Sequence, residues 1–437
     1  MVACLLLLVA CGKNDDPDPG PDPDPVVPDP PAKGTMADHT VLIYVVGDNN
    51  LGRDGFATSD LREMEEAIKT MDTNLYTHNN LLVFYDQYSE TQRPKLYRLV
   101  KKGDLQVSAT DPGKKELVIS VEQELLKEYT MEVTSTDTSI LKEVIGEAFD
   151  TFPARSYGFV YWSHGEGWLP VKYASLALRS ASPVRWMGVD WNDNSANSSS
   201  SFKTSIPELA EALRTAPAKL DFLMFDACFM MSVEVAYELK DCADFIIASP
   251  TETPGPGAPY TQVVSAMFGT SQEAVKVGET YFKYYESTFN PDVTNTNANW
   301  TGGVSMTVLD TSKLDKLAAV TKANLTTLSP DAQTLRKEVF DYDKRNGGHV
   351  GYYDMEGLME KVLATAKLDE WKAAYHDALT YWNTTSQNYS SSANMFSMTG
   401  ANGVTHYIPS GDASSVKDES YRTTAWYEAA GLSKLGW

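Results

Sequence analysis

Leu220-Asp-Phe-Leu-Met-Phe-Asp226-Ala-Cys228 is a short apolar run that stops at an acid, a small residue and a thiol. It is too short for a free-standing helix and rich in large apolar side chains, so it reads as a buried strand. Residues 229–240 follow with apolar positions at helical spacing, which predicts a helix opening directly behind Cys228. Upstream, 205–215 (SIPELAEALRT) predicts a helix and 157–162 (YGFVYW) a strand. Residues 137–152 place Ile140, Val144, Ile145 and Phe149 on one helical face, and 243–248 reads as the next strand. Further out come a strand over 41–46 (VLIYVV), a helix over 57–70, a strand over 81–85 and an edge strand over 95–101. Strands alternating with helices at this spacing imply an α/β protein with a mainly parallel sheet and helices on both faces. From about 262 onward the pattern is largely helical, with strands expected at 303–309 and 404–408.

In such sheets, ligand sites lie beyond the carboxyl ends of the strands. Two segments place reactive side chains there. The strand over 157–162 runs out into Ser163-His164-Gly165-Glu-Gly167, and the strand from 220 runs out into Asp226-Ala-Cys228. A thiol is the nucleophile as thiolate, and both a helix N-terminus and a nearby imidazolium favour that form. Histidine can then return the proton to a leaving amine. Glycine after His164 lets a backbone N–H approach a developing oxyanion, which the Cys228 N–H would complete. Taken singly, Cys228 reads equally as a small buried hydrophobe and His164 as a core residue. Their placement together at strand ends favours chemistry.

The ordered set resembles the clostripain-like cysteine peptidases, within the wider group of caspases, legumains and gingipains. Asp48-Asn49-Asn50-Leu51 is similar to that family's Asp-Asn-x-Leu turn after the first strand. Gly188-Val-Asp190, Ile206-Pro-Glu208-Leu209 and Pro254-Gly-Pro-Gly257-Ala-Pro-Tyr260 resemble later family segments. The likeness covers about 40–262 well and the remainder loosely. It implies a caspase-like fold, protein or peptide substrates, Cys228 as nucleophile, His164 as general acid/base and Gly165 at the oxyanion site. It also implies that Asp226 sits at the base of a pocket selecting Arg or Lys, with Glu252 as a second acid. Read from the residues alone, the alternative for Asp226 is an N-cap for the helix behind it. The family likeness further implies self-cutting between histidine and cysteine, at Lys172, Arg179 or Arg185. Clostripain's calcium dependence makes Ca2+ the one cofactor to test. Asp190-Trp-Asn192-Asp193-Asn194 offers oxygens but lacks the glycine and distal Glu of an EF-hand loop. The six histidines show no zinc spacing.

Composition bounds the rest. The chain has 437 residues, 37 Lys plus Arg against 59 Asp plus Glu, and a net charge of −22, which excludes a phosphate-reading nucleic-acid binder. Residues 1–10 read as a signal segment, and Leu8-Val-Ala-Cys11 resembles the lipobox of bacterial lipoproteins, which implies lipidation of Cys11. Residues 15–31 are almost wholly Asp and Pro, a composition that cannot build a core and stays extended. We therefore expect a lipidated tether over 11–37, a catalytic domain over 38–262 and a helical region over 263–437 packing on it. The expected location is the outer membrane of a bacterial envelope, with the membrane reached through the N-terminal lipid alone. The tether carries six Asp against Lys13 and Lys33, so −18 of the charge belongs to the folded part. A rival reading is an inactive cell-surface protein that binds glycan or peptide through its aromatic-rich C-terminal region. Past Cys11 the chain keeps only Cys228 and Cys242, too few for a disulfide framework.

Overall fold

A computed structural model describes residues 26–89, 91–110, 114–170, 185–191, 202–269, 273–327, 330–345, 349–391, 393–412 and 415–437. The expected signal segment, Cys11 and most of the expected tether lie outside these residues. Its strands, in chain order, are β1 (Ala37–Gly47), β2 (Asn79–Gln87), β3 (Lys95–Val107) and β4 (Lys115–Glu128). They continue with β5 (Ala154–Trp162), β6 (Gly165–Pro170), β7 (Arg185–Asp190), β8 (Phe202–Ser205) and β9 (Leu220–Asp226). Next are β10 (Ala243–Ala248), β11 (Ser305–Asp310), β12 (Tyr353–Asp354) and β13 (Leu379–Thr384), followed by short strands at Gln387–Ser390, Asn394–Ser397 and Thr405–His406.

Nine of these form one sheet in the order β13-β11-β10-β9-β5-β1-β2-β3-β4. The five strands from β10 to β2 are parallel, and antiparallel pairs close both edges. The run over 41–46 shows why the centre carries no polar alternation. Val41, Ile43 and Val45 face a core shared with helices Phe56–Thr70, Tyr260–Ala266 and Glu273–Thr288. Leu42, Tyr44 and Val46 face the opposite core, shared with Thr138–Thr151, Ile206–Leu213 and Val233–Leu239. Each such side chain contributes about 1.5–3 kcal/mol by leaving water, so a strand covered on both faces is apolar throughout.

The sheet crosses the expected boundary at 262, because β11 and β13 extend it beyond β10. Helices Leu314–Asn324 and Thr365–Ala378 bury Leu317 and Trp371 in the same core as Leu42. The edge strand expected over 95–101 is longer and pairs with β4, a strand with no counterpart in the sequence reading. The strand expected over 404–408 shrinks to Thr405–His406, paired with β12. Of the tether, residues 26–36 are laid along the β3–β4 hairpin. There Arg98 Nη1 donates to the Pro31 carbonyl at 2.6 Å, and Lys33 pairs with Glu124 at 3.2 Å. Among the described residues no helix is long and apolar enough to cross a membrane.

Candidate active site

Register brings the two motifs together. Trp162 on β5 pairs with Asp226 on β9, so His164 and Cys228 leave adjacent strands two residues beyond a shared rung. Both keep partial exposure, while Gly165 is buried. A Cβ on Gly165 would lie 2.7 Å from the Cys228 carbonyl oxygen and 3.0 Å from the Ala227 Cβ. The histidine loop therefore lies directly against the cysteine loop, and only glycine fits that approach.

Asn50, from the turn after β1, accepts at Oδ1 from His164 Nε2 at 2.9 Å. That bond fixes Nε2 as the protonated nitrogen and leaves the Nδ1 lone pair for proton transfer. Asn49 holds the turn itself: its amide donates to the Val46 and Val189 carbonyls, both at 2.8 Å, and its Oδ1 accepts from Leu51 N at 2.8 Å. Burial first, then the nearby Lys203 charge, lowers His164 to about 4. Burial pushes the Cys228 thiol up to about 11, opposed by Thr253. Thr253 N donates to Sγ at 3.3 Å, with its hydroxyl at 3.5 Å. At neutral pH the resting pair is therefore thiol and imidazole, both uncharged.

The expected helix directly behind Cys228 is corrected. The helix is Val233–Leu239, and its N-cap is Ser232, whose hydroxyl accepts from Val235 N at 3.2 Å. Tertiary pairing takes the intervening residues: Phe229 N donates to the Thr251 carbonyl at 2.9 Å and Met231 N to Ser249 at 3.0 Å. The thiol thus has no helix N-terminus behind it, consistent with its raised pKa, and Asp226 is not that helix's cap. Phe229 takes φ +59°, a left-handed conformation that costs a non-glycine residue about 1 kcal/mol or more.

That strained turn is braced by a part of the chain that sequence reasoning did not single out. Tyr352 stacks on Phe229 at 4.7 Å between ring centroids and donates its hydroxyl to the Glu166 carbonyl at 2.8 Å. The Arg345 guanidinium lies 4.6 Å from the centroid of the Phe229 ring and joins Glu166 (2.5 Å) to Asp343 (2.9 and 3.0 Å). The only readable signal was chemical: a buried Asp and an Arg two residues apart in an aromatic-rich stretch.

Asp226 is buried beneath the strand end. Its Oδ2 accepts from Ala258 N at 2.8 Å and from the Tyr260 hydroxyl at 3.1 Å, and Oδ1 from the Tyr281 hydroxyl at 3.3 Å. Burial raises it to about 6 despite these bonds. Asp60 lies beside it: a Cβ on Gly257 would meet Asp60 Oδ2 at 2.7 Å and Asp226 Oδ2 at 3.1 Å. Asp60 accepts from Trp162 Nε1 at 2.7 Å, its Oδ1 has no hydrogen-bond partner, and burial then Asp226 raise it well above the usual range. Glu63 is raised by burial as well, and among the described residues no Lys or Arg charge acts on these three acids. The Glu252 carboxylate is held by Ser391 N and Oγ at 2.8 Å each, and its charge acts on the Cys228 thiol.

Cys242 is buried at the start of β10, with Sγ 3.6 Å from the Ala210 carbonyl. Of the self-cutting candidates, Lys172 and Arg179 lie outside the described residues, and Arg185 opens β7. Calcium asks for six to eight oxygens around one point. Asp190 Oδ2 accepts from Ser135 N and Oγ, at 2.6 and 3.0 Å, and 192–194 lie outside the described residues. Among the described residues no three carboxylates converge on one point near the site. The described residues do not form a calcium cage near the site.

Comparison with known proteins follows the same lines. A sequence model of the clostripain family matches residues 43–435. A secreted C11 cysteine protease from Bacteroides thetaiotaomicron, solved with an irreversible peptide inhibitor, is 37% identical with a TM-score of 0.74, over 91% of this chain and 100% of that one. An inactive zymogen C11 protease from Parabacteroides distasonis is 26% identical with a TM-score of 0.67, over 91% and 99%. Clostripain from Hathewaya histolytica is 26% identical over 254 residues, which are 54% of this chain and 43% of the length of clostripain.

Proposed function

This chain belongs to the clostripain family of cysteine peptidases, and from that premise we propose that it is an endopeptidase cutting after Arg or Lys. Cys228 is the nucleophile and His164 the general acid/base. The single observation that carries the basic specificity is the buried pair Asp226 and Asp60, on which no Lys or Arg among the described residues acts. Two buried carboxylates without a counter-ion hold a proton at rest. A substrate guanidinium or ammonium supplies the missing charge and forms charge-assisted hydrogen bonds.

The chemistry follows from a neutral resting pair. His164 Nδ1 takes the thiol proton as Sγ bonds to the substrate carbonyl carbon, and Asn50 holds the ring while it carries charge. The Thr253 N–H donates to sulfur and stabilises the developing thiolate. Backbone N–H groups of Gly165 and Cys228 receive the oxyanion. The imidazolium then returns the proton to the leaving nitrogen as the C–N bond breaks, and water hydrolyses the thioester by the reverse use of the same base.

The lipobox at Cys11 and the Asp/Pro tether support attachment to the outer membrane of a bacterial envelope, with the folded part facing outward. A net −18 on that part draws basic polypeptide segments toward it. Fluorophore release from Arg-, Lys- and norleucine-linked peptides by wild type and Cys228→Ala tests the reading. Turnover of the two basic substrates by wild type alone is expected. Equal turnover of norleucine refutes the specificity, and no turnover by correctly processed protein favours the binding-protein alternative.

A further inference from the structure

At the opposite end of the sheet, the amino ends of β1, β5 and β9 meet the first turn of helix Glu273–Thr288. They place His39, Ser156, Asp221 and Glu273 together. None of these takes part in the chemistry above. His39 Nδ1, one oxygen of Asp221 and one of Glu273 all lie within 4.8 Å of one another, and His39 Nδ1 is 3.7 Å from Glu273 Oε2. His39 Nδ1 and Glu273 Oε2 are too far apart for a good hydrogen bond and too close to be indifferent. Ligands around a tetrahedral zinc ion at about 2.1 Å stand roughly 3.4 Å apart. The geometry points to a divalent transition-metal site, zinc or manganese in class, with His39, Asp221 and Glu273 as its protein ligands.

Further observations support it. Glu273 is only 5% exposed, yet its Oε2 finds no hydrogen-bond donor, an omission that is costly for a buried carboxylate. Glu273 and Asp221 contact each other through a carboxyl hydrogen bond, which requires a proton between two acids, and a cation can replace that proton. The His39 ring also bonds the Gly269 carbonyl. With Nδ1 turned to Ser156 Oγ at 2.9 Å and to Glu273, Nε2 is the nitrogen anchored there. A metal-ligating imidazole is commonly oriented in this way. Ser156 in turn donates to Asp221, which fixes that carboxylate. A cavity of about 490 Å³, lined by His39, Ser156 and Gly269 among others, opens onto the group and gives an ion a route in. One imidazole with two carboxylates suits zinc or manganese better than calcium, which prefers oxygen alone. A bound ion would tie two central strands to a helix far from the nucleophile, so its effect falls on stability.

The test uses the full chain carrying Cys228→Ala, which removes the catalytic thiol as a competing ligand. Titration with ZnCl2 and MnCl2 by calorimetry is expected to show one saturable equivalent for at least one of them. The unfolding temperature should rise with free metal as mass action requires. Adding Glu273→Gln or His39→Gln should weaken that binding about tenfold or more, judged on variants whose circular dichroism matches the parent. Should both variants fail to fold, a crystal of the Cys228→Ala protein soaked in ZnCl2 decides. Anomalous density between the three side chains supports the site, and its absence overturns it. No saturable binding, or unchanged affinity in both folded variants, overturns it as well.

Discussion

Replacing Asp226 with Asn isolates charge from shape. The amide oxygen can take the place of Oδ2 and accept from Ala258 N and the Tyr260 hydroxyl, now 2.8 and 3.1 Å away. The amide NH2 then faces the Tyr281 hydroxyl at 3.3 Å, which can accept. The substitution therefore keeps three contacts and removes one negative charge. Truncating one partner of a buried, hydrogen-bonded charge pair costs about 2–5 kcal/mol, or about 30-fold to several-thousand-fold in kcat/KM. Asp60 remains beside the site and still attracts a cation, so the lower part of that range applies, about 30- to 300-fold. The assay is kcat/KM on matched Arg- and norleucine-linked peptides, where the first should fall by that factor and the second change less than about threefold. Equal losses on both substrates would show that Asp226 supports the strand end and does not read the substrate. No loss on Arg would remove it from the pocket altogether.

The pH profile carries a related expectation. Asp226 is raised to about 6, so it carries charge only above that pH and its attraction for a cation is lost as pH falls through it. His164, lowered to about 4, is already neutral there, and Cys228 keeps its proton to about 11. Thus kcat/KM for Arg substrates should rise through about pH 6, and a limb near 4 instead, or the same limb with norleucine, contradicts this. Gly165→Ala places a methyl 2.7 Å from the Cys228 carbonyl oxygen. The forced shift should cost about a hundredfold in kcat/KM, and near-wild-type activity would show that the loops do not touch in solution. Arg345→Met leaves Glu166 and Asp343 without their cation and should cost about 3 kcal/mol in urea unfolding, while unchanged stability would remove Arg345 as the brace of the Phe229 turn. On incubation, wild type but not Cys228→Ala should be cut between His164 and Cys228, at Lys172 or Arg179 before Arg185, whose backbone is paired into β7. Identical intact bands would sink that expectation.

The central strands were readable because burial on both faces leaves uninterrupted apolar runs, as in 41–46 and 157–162. Placement at strand ends then led to His164 and Cys228 without further information. The rest depends on contacts between segments far apart in the chain. Residues 229–240 have helical spacing throughout, yet pairing of Phe229 and Met231 with Thr251 and Ser249 holds back the helix until Ser232. β4 was missed because its residues alternate charge and apolar character on a hairpin edge with half its face in water. Asp60 looks like one more acid on an amphipathic helix, and only the approach of Gly257 and Trp162 shows that it is buried beside Asp226. Arg345 and Tyr352 reach Glu166 across 179 and 186 residues, a distance no local pattern reports.

The central claim is that Cys228, activated by His164 beside a pocket for a basic side chain, is the nucleophile. Intact-mass measurement after treatment with an arginine acyloxymethyl ketone, followed by peptide mapping, tests it most directly. The account predicts one adduct per chain, on Cys228, absent in Cys228→Ala and formed far more slowly in Asp226→Asn. An adduct on Cys242, or none on a correctly processed protein, would contradict it.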